Sequence, residues 1–544
     1  MNTRQLQTDK NQKLYHALLG ILLVCALAMM MLLSYWACKY SYYGAVDGRT
    51  RGVLVGDKTW AHIAVFLAAS LCTMGIDKVL MKKDKSQQEK ICLCTLIVTS
   101  VIAFILGVFY VCKNPYYPVG DQINTTAFAA YCRDGNFSML SIGGYVGMYQ
   151  QQKGLAILYE ILFTLFGDFN YRPAKILHVV WWILTILAGY GFLKLNTDRT
   201  VFRMLYCVMM LGCFPLLFYL PYIYGDVLSI SFGIILFYGV AAYEHSGQKR
   251  YIALASFAAG LAVLARKNTW IVLVAVAVYV LLVSLRKKKV RYLMAGTAIL
   301  LTAALSVKAV DVIYEVRSGY PSGVGVPSIL WVAMGLQETE GRAGVYNRYQ
   351  QATFTDYDCQ QELAAQQGKE YIRERLEEFS QDPGMAFNFF KNKVEGQWIE
   401  PMYAALESTE SFEEGAELSP VLESLYYGEL GRTIWKLTNY YQSILYLAGL
   451  MALVMLGILW WKKKEVPISL WLPWIAVFGG FLFSILWEAK SRYVFPYCVF
   501  MILYAPEGLY QTGLLLCKLP KLRKFRKSGH TQDKGEEASL RETA

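Results

Sequence analysis

An all-α polytopic membrane protein of about 12 transmembrane helices is the fold class this sequence predicts, and three features predict it. Of its 544 residues, 55% are hydrophobic and only 17% are charged, too apolar a balance for a soluble protein of this length. Apolar runs recur along the chain, each near the roughly 20 residues a spanning helix needs. The formal charge of +12 is gathered in short basic clusters between those runs. That is where the positive-inside rule puts cations, so membrane orientation accounts for the charge and no nucleic-acid partner is implied.

The first run follows a 13-residue polar head and extends to about Trp36. It is too long for a signal-peptide core and no clear small-residue cleavage site follows it, so a retained anchor is expected. The first three spans are expected near Leu14–Trp36, Trp60–Met81 and Ile91–Cys112, with the basic segment Lys82–Lys90 between the last two. A cytoplasmic Lys82–Lys90 sends the stretch after Cys112 outside. The next run, Gly154–Phe166, is about 13 residues long and contains Glu160, which suits a juxtamembrane or re-entrant helix better than a span. The clusters Lys194–Arg203, Lys249-Arg250, Arg286–Arg291, Lys462–Lys464 and Lys518–Lys527 then join Lys82–Lys90 on one side. A crossing at Gly154–Phe166 would invert all of them.

Later spans are expected near Ala174–Leu193, Phe202–Leu220, Val227–Tyr243, Tyr251–Ala265, Thr269–Leu285, Tyr292–Ala309, Gln442–Trp461, Pro467–Trp487 and Tyr493–Cys517. Both termini of a multi-pass cell-membrane protein then face the cytoplasm. The chain divides into N-terminal helices (1–112), an external juxtamembrane segment (113–172), a transmembrane bundle (173–310), a mostly α external domain (311–440), C-terminal helices (441–517) and a basic tail (518–544). In the external domain Ile372, Leu376 and Phe379 recur at helical spacing, and Asp382-Pro383-Gly384 is a stop before a second helical run. Most of the 12 cysteines lie inside apolar runs and none has zinc spacing. Cys112 and Cys132 flank the juxtamembrane segment, and their pairing is left open.

The stretch Asn114–Gly167 organises the functional reading, because it opens with Asn-Pro and puts Asp121-Gln122 just past a membrane exit. A carboxylate at a membrane boundary is costly when desolvated and is a functional candidate, with helix capping as the alternative. The same topology brings Tyr149, Gln150, Gln151, Tyr222, Tyr224, Asp226, Arg266, Lys267, Glu488, Arg492 and Tyr493 to the outer face. Cations there suit phosphate oxygens, and a carboxylate suits proton removal from an attacking hydroxyl. Helix capping by Asp226, snorkelling cations and an aromatic belt are the plainer readings. Arg266-Lys267 breaks the charge rule and requires a compensating partner.

In this order the features resemble the GT-C superfamily of polyprenyl-phosphate-sugar glycosyltransferases, in particular family 39-like members related to protein O-mannosyltransferases and the lipid A aminoarabinose transferase. Asp121-Gln122 is similar to the family's acidic motif after an early helix, and Gly147–His178 to its juxtamembrane segment. Tyr224-Gly225-Asp226, Ala265–Asn268 and Glu488–Tyr493 resemble its second acid, its lysine turn and its terminal Arg-Tyr element. Gln122 stands where a second acid is usual, and the first two spans precede the family's first helix. The resemblance implies inverting transfer of a sugar from a polyprenyl-phosphate donor to an extracytoplasmic glycan, lipid or protein acceptor of the cell envelope. Asp121 would be the base, Asp226 would orient acceptor or sugar, and Arg266, Lys267 and Arg492 would hold the phosphate. Gln122, Tyr149, Gln150, Gln151, Tyr224 and Tyr493 complete the expected binding set, no organic cofactor is implied, and a divalent cation is left open. A transporter, a lipid or polysaccharide flippase, or a polymerase is the alternative class. Transporters place charge at the midplane on broken helices and often repeat their halves.

Overall fold

The computed structural model describes residues 3–43, 53–464 and 466–518, with side chains from residue 12 onward. Strands among the described residues are confined to two antiparallel hairpins, Tyr40–Tyr43 with Val53–Gly56 and Glu338–Thr339 with Arg342–Ala343. All else that is regular is helical. Nine described helices are long and apolar enough to cross a membrane: Gln12–Lys39, Thr59–Leu80, Lys85–Lys113, Arg172–Asn196, Asp226–Ser246, Lys267–Lys287, Val290–Ser318, Glu429–Trp461 and Ile468–Leu486. This is the make-up of a multi-pass membrane protein.

Three stretches expected to span are built differently. Helix Thr200–Leu211 stops before Pro215, which has no N–H to continue the ladder, and a short helix Phe214–Phe218 follows. Helix Lys249–Ala265 has 17 residues, about 26 Å of rise against a hydrocarbon core near 30 Å. The last run breaks into Ser491–Met501 and a helix over 505–518, because the ring of Pro506 clashes with the carbonyl four residues back. The expected tail 518–544 lies outside the described residues beyond Lys518.

Helix Asp226–Ser246 is the core of the bundle. It is buried over 83% of its most apolar stretch, against 28% for Lys85–Lys113 and Val290–Ser318, which are peripheral. At one end of the bundle lie the basic segments, and three of their cations are paired: Arg203 with Glu89 (2.5 Å), Arg199 with Asp77 (3.2 Å) and Lys287 with Glu244 (2.9 Å). Lys267–Lys287 runs from this end to the other, a distance of about 30 Å for its 21 residues.

The opposite end carries the juxtamembrane elements. Helix Lys153–Phe166 presses against the end of Lys249–Ala265, where a Cβ on Gly154 would come within 2.6 Å of the Leu264 carbonyl oxygen. The charge of Glu160 in this apolar helix is met by Arg317 (2.6 Å) and by the Tyr314 hydroxyl (3.1 Å). Its other face exposes Ile161 (54%) and Leu165 (67%), the pattern of a helix lying in a membrane interface. Residues 319–428 form the inserted segment, with helices Gln361–Gln381 and Pro383–Trp398 divided at Asp382, whose carboxylate caps the second by accepting from the Met385 N–H (2.9 Å). Phe379 packs on Phe389 and Phe390, while Leu376 is exposed. Helix Val290–Ser318 runs past Asp311, where the polar segment was expected to begin, because Asp311 pairs with Lys153 (2.5 Å).

If residues 113–172 stay on one side, a cysteine replacing the exposed Asn170 reacts with membrane-impermeant reagent from outside, once exposed Cys72, Cys94 and Cys112 are replaced. Labelling only from the cytoplasmic side would sink this topology.

Candidate functional site

Asp121 opens helix Asp121–Arg133, but it does not cap it: Gly120 is the N-cap, at φ 58°, with no side-chain cap bond. The exposed Asp121 carboxylate instead accepts from the Tyr145 hydroxyl at 2.9 Å. Its neighbour Gln122 is buried and accepts from the Tyr116 hydroxyl. Asp121 is therefore open to solvent, and Gln122 belongs to the packing beneath it. Burial, with the charge of Asp121 adding to it, pushes the Tyr224 hydroxyl above its ordinary range. Burial likewise raises the Glu488 carboxyl.

Asp226, 2% exposed, does not cap its helix either; Gly225 is the N-cap. Any side chain on Gly225 would collide with the Ala265 carbonyl oxygen, so glycine is what lets Asp226 reach the next turn of chain. There its carboxylate pairs with Arg266 at 2.6 Å, with the Nε of Arg492 at 3.9 Å on its other oxygen. Three tyrosine rings enclose the two guanidiniums. Arg266 lies over Tyr224 (5.1 Å) and Tyr493 (5.4 Å), and Arg492 over Tyr222 (5.2 Å), Tyr224 (5.3 Å) and Tyr493 (5.6 Å). Such ring faces stabilise desolvated cations. Gln152 donates to the Tyr224 hydroxyl at 2.5 Å, and the Tyr493 hydroxyl donates to Glu488 at 3.3 Å.

Three spaces meet around this cluster. A chamber of about 100 Å³ is lined by Gln151, Gln152, Tyr224, Arg266, Lys267, Tyr493 and the stacked pair Trp331 and Trp487. It shares Lys267, Gln151 and Ser328 with a groove of about 350 Å³ that has Val263, Leu264, Trp270, Val307 and Val310 on one wall and the Lys153–Asp311 ion pair with Gln150 and Gln361 on another. On the other side of Arg492 and Glu488 lies a cavity of about 680 Å³, with Val119 and Gln122 beside Asp121 at its rim and Tyr346, Arg348, Glu407 and Lys490 on its walls. Lys267 makes no ion pair among the described residues; its ammonium is 3.5 Å from the Ser328 hydroxyl.

The expected phosphate-binding trio is thus divided: Arg266 and Lys267 line the small chamber, and Arg492 the large cavity. Arg266 already has its compensating partner in Asp226. Tyr149 packs against Tyr145 (5.2 Å) and Trp331 (6.1 Å), and Gln150 accepts from the Gly323 N–H (2.5 Å) and Lys153 (3.3 Å), so both support the walls. Tyr145, Tyr346 and Trp331 are site residues that sequence reasoning missed. Lys490 falls inside the element Glu488–Tyr493 but was given no binding role in the sequence reading. Cys112 and Cys132 are both free thiols, the first exposed and the second buried. Among the described residues no group of three His, Cys, Asp or Glu side chains gathers to hold a metal ion.

Comparison with known proteins finds no matching family model, no matching curated protein and no matching solved structure. Fold and site together define the class: a helical multi-pass membrane protein with a polar, tyrosine-rich site at one end of its bundle.

Proposed function

We propose that the protein is a membrane glycosyltransferase of the GT-C type, moving a sugar from a polyprenyl-phosphate donor to an acceptor outside the cytoplasm. The observation that carries this reading is the sequence of spaces: a groove with one apolar wall leads through Lys267 to a cationic chamber, and past Tyr224 and Tyr493 lies a polar cavity lined by Val119 and Gln122, which flank the open acid Asp121. An amphiphilic donor fits that order, its isoprenoid chain in the groove and its phosphate at Lys267 and Arg266. The acceptor hydroxyl loses its proton to Asp121 as its oxygen bonds to the anomeric carbon. The bond from that carbon to the phosphate oxygen breaks, and the electron pair leaves with the polyprenyl phosphate, where the two cations stabilise the growing charge. Attack opposite the leaving group inverts the anomeric centre. The Tyr145 hydroxyl orients the Asp121 carboxylate. Against a transporter stands the position of the charged groups, collected at one end of the bundle and not at its midplane. The sites face outward if both termini are cytoplasmic.

The test is release of sugar from a panel of polyprenyl-phosphate hexoses and pentoses by the purified full chain. No release from any donor, in a preparation that is folded and monodisperse, would reject the reading. Within it, Lys267→Ala is expected to weaken donor binding and turnover together, and Lys267→Arg to restore only part, since a planar fork and an ammonium do not fill the same space. Unchanged donor affinity in Lys267→Ala would leave that ammonium as a cation snorkelling to the membrane edge.

A further inference from the structure

Arg492 is a buried cation that has to share its carboxylate partner with a second guanidinium. It is 6% exposed, and its Nε has no hydrogen-bond acceptor. Asp226 sits 3.9 Å away but is already engaged by Arg266 at 2.6 Å. Two buried guanidiniums thus share one carboxylate, and a buried charge is stable only when paired. The rings over Arg492 soften that cost without cancelling the charge.

The large cavity that Arg492 lines holds further cations. Arg342 and Glu340 on its wall pair at 3.5 Å and offset each other. The rest of the charged lining is Arg348, Lys490 and Arg492 with Glu407 and Glu488, and Asp121 stands next to Gln122 at the edge. Lys490 makes no ion pair among the described residues. Glu488 accepts from the Tyr493 hydroxyl at 3.3 Å. Arg266 and Lys267 line the small chamber with Tyr224 and Tyr493, whereas Lys490 and Arg492 line the large cavity.

We infer that the large cavity binds a second, anionic molecule, a sugar-like acceptor carrying an oxyanion (phosphate or carboxylate) that Arg492 and Lys490 hold while its attacking hydroxyl lies beside Asp121. The acceptor role rests on the transferase reading above; the oxyanion site does not. Arg492 supplies a forked donor with a free Nε, and Lys490 a mobile point charge, the combination that suits an oxyanion. Tyr346 and Ser408 on the same walls carry hydroxyls suited to hydrogen bonds with a sugar.

The experiment is calorimetric binding to the purified full chain, without donor, using glucose, glucose 6-phosphate and glucuronate as probes. At least one charged sugar is expected to bind about tenfold or more tightly than glucose, the scale of one added charge-assisted contact. Preference for one charged probe over the other identifies which oxyanion the cavity takes. Lys490→Gln is expected to remove the preference and Lys490→Arg to retain most of it. Arg492→Lys, which keeps the charge and loses the fork, is expected to reduce it. Equal binding of all three probes, or no binding of any, overturns the inference. So does loss of the preference in Lys267→Gln with its retention in Lys490→Gln, which would move the oxyanion to the small chamber. A preference for charged sugar in a protein that releases no sugar from any donor would retain the oxyanion site and discard the transferase. Sugar release without the preference would do the reverse.

Discussion

Asp121→Asn is expected to lower sugar transfer by about two to four orders of magnitude, the usual cost of losing a general base, while leaving the protein folded. The substitution keeps the size of the side chain and its ability to accept from the Tyr145 hydroxyl, so only the proton acceptor is lost. Asp121 is exposed and makes no cap bond, and exposed substitutions of this kind usually change stability by no more than about 0.5 kcal/mol. Donor affinity should hardly move, because the groove and the chamber at Lys267 do not include Asp121. The measurement is turnover and donor affinity on the same preparation, with the melting temperature as control. Near-normal turnover would return Asp121 to a lesser part, a negative charge in the first turn of its helix, worth about 0.3–1 kcal/mol from the helix dipole.

That Asp121 stood out in the sequence, and that its partner did not, shows where the sequence was legible. Apolar runs near the length of a span and the cations between them locate most of the helices, since both signals are one-dimensional. The breaks were harder to see: Pro215 and Pro506 end helices inside runs whose hydropathy continues across them. The convergence of Asp226, Arg266, Arg492 and Tyr493 follows from having the same end of the bundle in common, which topology alone supplies. Which of them pair does not. Arg266 and Asp226 are 40 residues apart, and their contact depends on Gly225 passing under the Ala265 carbonyl, a matter of packing with no signature in composition. Tyr346 and Arg348 come from the inserted segment, where neither hydropathy nor periodicity marks a residue as facing the membrane-side cavity.

The second large effect is on stability, at Asp226. Its carboxylate is the single ion-pair partner of Arg266 among the described residues and the nearest acid to Arg492. Asp226→Ala removes the negative charge and leaves two guanidiniums in a tyrosine-lined interior. Breaking a buried pair from one side typically costs about 3–5 kcal/mol, because the surviving charge has been taken from water and has no partner. A loss in that range is expected in denaturant unfolding of the detergent-solubilised chain. Asp226→Asn should cost less, since an amide oxygen still accepts from Arg266. Removing both members, as Asp226→Ala with Arg266→Met, should recover much of the loss, because an apolar side chain of similar volume needs no countercharge. The double variant then separates the two duties of Arg266. If it regains stability but not donor affinity, Arg266 contributes to the phosphate chamber as well as to the fold. If it regains both, Lys267 holds the phosphate alone and the Asp226–Arg266 pair serves only to lock the Tyr224 turn. A cost below about 1 kcal/mol for Asp226→Ala would put the pair in the range of a solvated surface salt bridge. The chamber around Arg266 would then be open to water, and exclusion of water from the departing phosphate could not be part of the mechanism.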